Sequence, residues 1–137
     1  MIDDVPQLTH VYLFVEDMAA SLGFYERLGL TIEHLGDTFA RAQMPGGIGL
    51  EFGTAELTRR YDPNWQEPHG PGTNTLNLQL ASSEAVDQKF AELTAAGYED
   101  HLSPIDAFWG SRFAIVDDPD GNVIGLHGPR NAPRGGQ

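Results

Sequence analysis

The chain has no cysteine, no long apolar run and few basic residues, and each shortage removes a class of function. Without cysteine there are no disulfides, thiolate nucleophiles or thiolate metal ligands, and the cytoplasm is the simplest location to expect. No apolar stretch approaches the roughly 18 residues needed to cross a bilayer, so no membrane partner is expected. The opening residues, Met1 to Gln7, are acidic and lack the basic and apolar regions of a secretory signal. Lys and Arg number 8 against 20 Asp and Glu, for a formal net charge of -12 that repels phosphate backbones, so no nucleic-acid partner is expected. This acidity serves solubility, and its functional counterpart is long-range attraction of cationic ligands.

What is present fits a soluble globular chain, with 40% hydrophobic and 20% charged residues over 137 positions. That length suits one compact unit, and two halves of it would each be too small to bury a sound core alone. A shared core or a dimer interface is therefore expected.

The second half reads as a rewritten copy of the first. His10-Val11-Tyr12-Leu13-Phe14-Val15 and Thr75-Leu76-Asn77-Leu78-Gln79-Leu80 both alternate aliphatic residues with a second, polar or aromatic set, the period-two pattern of a strand with two unlike faces. A helical stripe follows each: Leu22, Tyr25 and Leu28, then Val86, Phe90 and Leu93. Gly29 and Gly97 read as the C-caps, because glycine takes the left-handed conformation without a Cβ penalty. Three short strand candidates come next in each half. The last follows a turn, Pro45-Gly46-Gly47 before Ile48-Gly49-Leu50-Glu51-Phe52, and Asp118-Pro119-Asp120-Gly121-Asn122 before Val123-Ile124-Gly125-Leu126-His127.

The pattern predicts an α+β chain of two βαβββ modules, about residues 8–53 and 74–127, within a single domain over 1–129. A connector of about 54–73, rich in Pro and Gly, joins them, with a helical turn expected over Glu56 to Tyr61. Connectors this long are often binding loops or lids, and Trp65 lies within this one. Residues 130–137, with Arg130 and Arg134 among Pro and Gly, read as a flexible tail.

Alternation also sorts the chemistry. If Val11, Leu13 and Val15 pack under the first helix, His10, Tyr12 and Phe14 face the other way. Ile48, Leu50 and Phe52 then take the helix side of the closing strand, and Glu51 shares a face with His10. An imidazole and a carboxylate suit either a divalent ion or proton transfer, and equally a hydrogen-bonded pair lining a cavity. The same sorting in the second module puts Thr75, Asn77 and Gln79 on the open face with Gly125 and His127. The positions matching His10 and Glu51 are Thr75 and Gly125, neither a useful metal ligand. His34, His69 and His101 lack partners at recognisable spacing and read as exposed.

The paired modules, the opening His10-Val11-Tyr12-Leu13-Phe14-Val15-Glu16-Asp17 with Ser21-Leu22-Gly23-Phe24-Tyr25, the Trp109-Gly110 step before Arg112 and the Asp118-to-Asn122 turn together resemble the vicinal oxygen chelate superfamily. That superfamily contains glyoxalase I, extradiol dioxygenases, fosfomycin-modifying enzymes and bleomycin-resistance binding proteins. The resemblance covers nearly all of the chain except the tail. It implies an eight-stranded cup formed by two modules, usually at a homodimer interface. It also implies, for the metalloenzymes, one ligand from the first strand and one from the last strand of each module. His10 and Glu51 match the first pair; Thr75 and Gly125 replace the second. Tight protein metal sites need three or four ligands or a chelating substrate, so no metal cofactor is expected. A divalent metal, if bound, would use His10, Glu51 and His127.

The bleomycin-resistance branch uses the cup without a metal to hold a ligand between aromatic side chains. Here Tyr12, Phe14, Trp65, Phe108 and Trp109 could wall such a cleft, with Asn77, Gln79 and Arg112 as polar contacts, and core packing is the competing account of each ring. The first expectation is thus a metal-free, dimeric protein that sequesters an aromatic or cationic small molecule. Its alternative is a glyoxalase-like lyase, isomerase or dioxygenase using His10 and Glu51, with or without a metal. A third possibility is an accessory or regulatory role in which the cup is vestigial. Fold alone does not choose among them.

Overall fold

A computed structural model of the protein describes residues 7–68 and 74–129. The chain divides into two compact units, Met1–Glu67 and Pro68–Gln137, and the division falls inside the expected connector. His69 and the tail expected over 130–137 lie outside the described residues.

In the first unit the order is β1 (His10–Phe14), α1 (Met18–Leu28), β2 (Glu33–His34), β3 (Phe39–Gln43), β4 (Gly49–Gly53) and α2 (Ala55–Tyr61). The second contains β5 (Thr75–Gln79), α3 (Ser83–Ala95), β6 (Glu99–Asp106), β7 (Ser111–Asp117) and β8 (Val123–Pro129). Two four-stranded sheets result, ordered β1-β4-β3-β2 and β5-β8-β7-β6. In each, the first strand pairs in parallel with the last, while the other neighbours are antiparallel. The two βαβββ modules and the α+β class expected from the sequence are both present.

Local chemistry explains the helix limits. Asp17 accepts a hydrogen bond from the Ala20 amide at 3.1 Å, and Ser82 accepts one from the Ala85 amide at 3.0 Å, so each side chain satisfies a first-turn donor. Gly29 ends α1 with φ 117°. The end of α3 differs slightly from expectation: Ala96 is its cap, and Gly97 takes the left-handed step just after it.

The helical stripes form the cores. Leu22, Tyr25 and Leu28 are buried in the first unit with Phe24, Leu50 and Phe52, and the Tyr25 and Phe52 ring centroids are 4.9 Å apart. Val86, Phe90 and Leu93 are buried in the second with Ala114, Val116, Ile124 and Leu126. One expected core residue is not there. Ile48 is exposed in the turn ahead of β4, because the strand begins at Gly49.

Each module has its own turn before the closing strand. The Met44 amide bonds the Ile48 carbonyl at 2.9 Å around Gly46 and Gly47, both at positive φ. In the second module Asp118 organises the turn. Its Oδ1 accepts from the Asp120 and Asn122 amides at 2.9 and 2.8 Å, and its Oδ2 accepts from Asn122 Nδ2 at 2.9 Å.

Candidate functional site

In the first module the parallel register sets His10 beside Gly49 and Tyr12 beside Glu51. Leu50 and Phe52 are buried on the helix side, so Glu51 projects from the opposite face with His10. His10 Nε2 lies 3.8 Å from Glu51 Oε1, too far for a hydrogen bond but close enough for ion pairing whenever the ring is protonated. The other ring nitrogen, Nδ1, is 2.9 Å from the Thr9 hydroxyl, which fixes the ring orientation.

A cleft of about 690 Å³ opens at this pair, with Glu33, Arg41 and Gln43 also in its wall. Arg41 pairs in register with Glu51, and its Nε donates to Glu33 Oε1 at 3.0 Å. Thr9, Arg41 and Gln43 did not come out of the sequence reading. The signal was available, since Arg41 and Gln43 alternate in phase with Glu51 once β3 and β4 are paired.

Tyr12 and Phe14 leave the same strand face but do not line this cleft. The Tyr12 hydroxyl is 2.9 Å from the Thr58 hydroxyl, its ring meets Tyr61 edge-on at 5.7 Å, and the Phe14 ring lies 5.1 Å from Trp65. Arg59 stacks on Trp65 at 5.2 Å. Three of the five aromatics expected to wall a cleft are thus engaged with α2 and the segment after it, which is packing rather than an open wall. Tyr61 has its phenol held above the ordinary value, through partial shielding from water, then its contact with Tyr12, then the negative charges of Asp62 and Glu51.

The second module presents a different surface. A cleft of about 550 Å³ is lined by Thr75, Asn77, Trp109, Ser111, Phe113, Ile115 and His127. Trp109 contacts Phe113 with ring centroids 5.3 Å apart. Phe108 meets Trp109 edge-on but stays 95% exposed, and neither it nor Gln79 belongs to the cleft wall. Ser111, Phe113 and Ile115 were missed by the sequence reading, although their alternation with buried Ala114 and Val116 marks them.

Arg112 requires a correction. It was expected to contact a ligand, yet it lies out of phase with Phe113 and turns to the helix side. There its Nε donates to Asp87 of α3 at 2.9 Å and its Nη1 to Asp106 at 3.3 Å. The hydrogen bond to Asp87 holds its guanidinium above the ordinary value.

The fit of a divalent ion can be judged from the donors. Gly125 pairs with Asn77 in register, and a Cβ built on Gly125 would run into the Asn77 carboxamide oxygen. The position matching Glu51 therefore offers no donor, and a side chain there would have to displace the Asn77 carboxamide. Among the described residues no group of three or more His, Cys, Asp or Glu could hold a metal ion. Within the first module the His10–Glu51 pair by itself is two donors, short of the usual three or four protein ligands of a metal site.

Each of the two modules closes its sheet with a parallel pair of first and last strands. The sequence profile of the Glyoxalase/Bleomycin resistance protein/Dioxygenase superfamily matches residues 7–126. The chain belongs to this superfamily. A glyoxalase/bleomycin resistance protein/dioxygenase from Nocardioides is 27% identical, with a TM-score of 0.76, and the match covers 99% of this chain and 91% of that one. A glyoxalase-related enzyme from Fulvimarina pelagi shares the fold with a TM-score of 0.80 at 22% identity, over 90% and 88% of the two chains. A lactoylglutathione lyase from Agrobacterium tumefaciens shares it with a TM-score of 0.67 at 18% identity, over 92% and 96%. No curated protein shows significant similarity to the chain. Among the described residues, no helix is long and apolar enough to cross a membrane.

Proposed function

We propose that this superfamily member binds a small planar molecule in the cleft of its second module, without a metal cofactor and as a homodimer, in the manner of the bleomycin-resistance branch. The observation that carries the reading is the Asn77 carboxamide lying over Gly125, which removes the second-module chelating position and leaves a wall of Trp109, Phe113 and Ile115. Flat rings with a few polar groups suit a planar guest, and the cleft volume falls within the range of small-molecule sites.

The test is tryptophan-fluorescence titration of protein stripped with EDTA against a panel of aromatic and glycopeptide antibiotics, with sedimentation to establish the subunit number. Saturable quenching by at least one compound is expected. A flat response to the whole panel overturns the reading.

A second reading is favoured by one observation, the Thr9-oriented His10 ring facing Glu51 across 3.8 Å in a polar cleft. On that reading the protein is a glyoxalase-like enzyme in which the pair moves a proton, with His10 as base or acid and Glu51 balancing its charge. Turnover that disappears in Glu51→Gln would establish it; turnover unaffected by Glu51→Gln and His10→Ala would exclude it.

A further inference from the structure

The two clefts differ in charge. That of the first module contains Glu33, Arg41 and Glu51, whereas no Asp, Glu, Lys or Arg lines that of the second. A cation entering the second cleft would give up hydration and meet no carboxylate in return, with only the ring faces of Trp109 and Phe113 to offset the loss. The acidic surface charge of the protein therefore gives no local reason for a cationic guest there.

The same wall contains an unmet hydroxyl. Among the described residues, Ser111 Oγ is the only buried side-chain polar atom without a hydrogen-bond partner. Such a group costs stability until a partner reaches it. Ser111 alternates in phase with Phe113 and Ile115, so its Cβ points to the cleft, and a rotation between staggered χ1 positions can bring its hydroxyl toward a guest.

We infer that the guest is an uncharged aromatic molecule carrying one hydrogen-bonding substituent, that its ring lies against Trp109 and Phe113, and that Ser111 Oγ recognises the substituent. This rests on the second-module cleft being the guest site.

The experiment uses the full chain with Trp65→Phe, which leaves Trp109 as the sole fluorophore of the two tryptophans. Three probes are titrated: 2-naphthol, naphthalene and N-methylquinolinium. Saturable quenching by 2-naphthol is expected, with an affinity unchanged by added salt. Ser111→Ala should weaken 2-naphthol about fivefold to tenfold, the usual value of one neutral hydrogen bond, and leave naphthalene unchanged. Its melting temperature should not fall, because the hydroxyl removed has no partner.

Tighter, salt-sensitive binding of N-methylquinolinium would overturn the neutral-guest assignment while leaving the cleft as the guest site. Equal weakening of 2-naphthol and naphthalene by Ser111→Ala would overturn the role of the hydroxyl. Silence with all three probes would overturn the guest site, and the inference with it.

Discussion

The Asn77 carboxamide oxygen lies over the Cα of Gly125, and Phe113 Cε1 would stand 3.1 Å from any Cβ placed there. In the first module the matching residue is Glu51, which projects into its cleft beside His10. The two modules thus share a fold and differ in whether the closing strand can hold a chelating group. A donor restored to the second module has to push the Asn77 carboxamide aside. Gly125→Glu alone should cost about 1–3 kcal/mol of stability by overpacking, and adding Asn77→Gly should recover most of it, as read from urea midpoints. Additive losses in the double variant would show that Asn77 is not the obstruction.

A glycine three residues along provides the contrast. A Cβ on Gly128 would meet the Ser82 carbonyl oxygen at 2.7 Å, and backbone cannot turn aside as a carboxamide can. Gly128→Ala is expected to lower the melting temperature more than Gly125→Ala. The reverse order would contradict the packing described for β8.

Metal should be held weakly. Two donors 3.8 Å apart leave most of a coordination shell to water. Zinc added to the purified protein should be lost on gel filtration, and EDTA should leave planar-guest binding unchanged. Stoichiometric zinc by elemental analysis, lost in His10→Ala, would overturn this.

Tyr61 provides the pH prediction. Its phenol is held above the ordinary tyrosine value of about 10, so folding favours the protonated form. The associated stability is present below that value and is lost as pH rises through the higher folded value. Phenolate absorbance should show a late-titrating component that Tyr61→Phe diminishes. An unchanged titration curve in the variant would refute the assignment.

Arg112 should matter for stability and not for binding. Its pairs with Asp87 and Asp106 are partly exposed, so Arg112→Ala is expected to cost about 1 kcal/mol and leave guest affinity intact. A specific loss of affinity would return Arg112 to the cleft.

Much of this was legible from alternation alone. Period two placed His10 with Glu51 and Asn77 with Gly125, and helical spacing found the buried stripes of α1 and α3. Arg112 went astray because it was chosen for its place after Trp109-Gly110, although its own alternation with Phe113 puts it on the helix side. The engagement of Tyr12 and Phe14 was not legible. It depends on where α2 and Trp65 fold back, and no local period encodes that position.

The turn built on Asp118 is fastened locally, through bonds to Asp120 and Asn122. The strand it launches carries Gly125 and His127 and is held by backbone pairing to β5 and β7 rather than by side chains of the neighbouring cleft. Lining residues can therefore drift from one guest specificity to another while the framework stays put, which is one physical route by which a single architecture accumulates unrelated tasks.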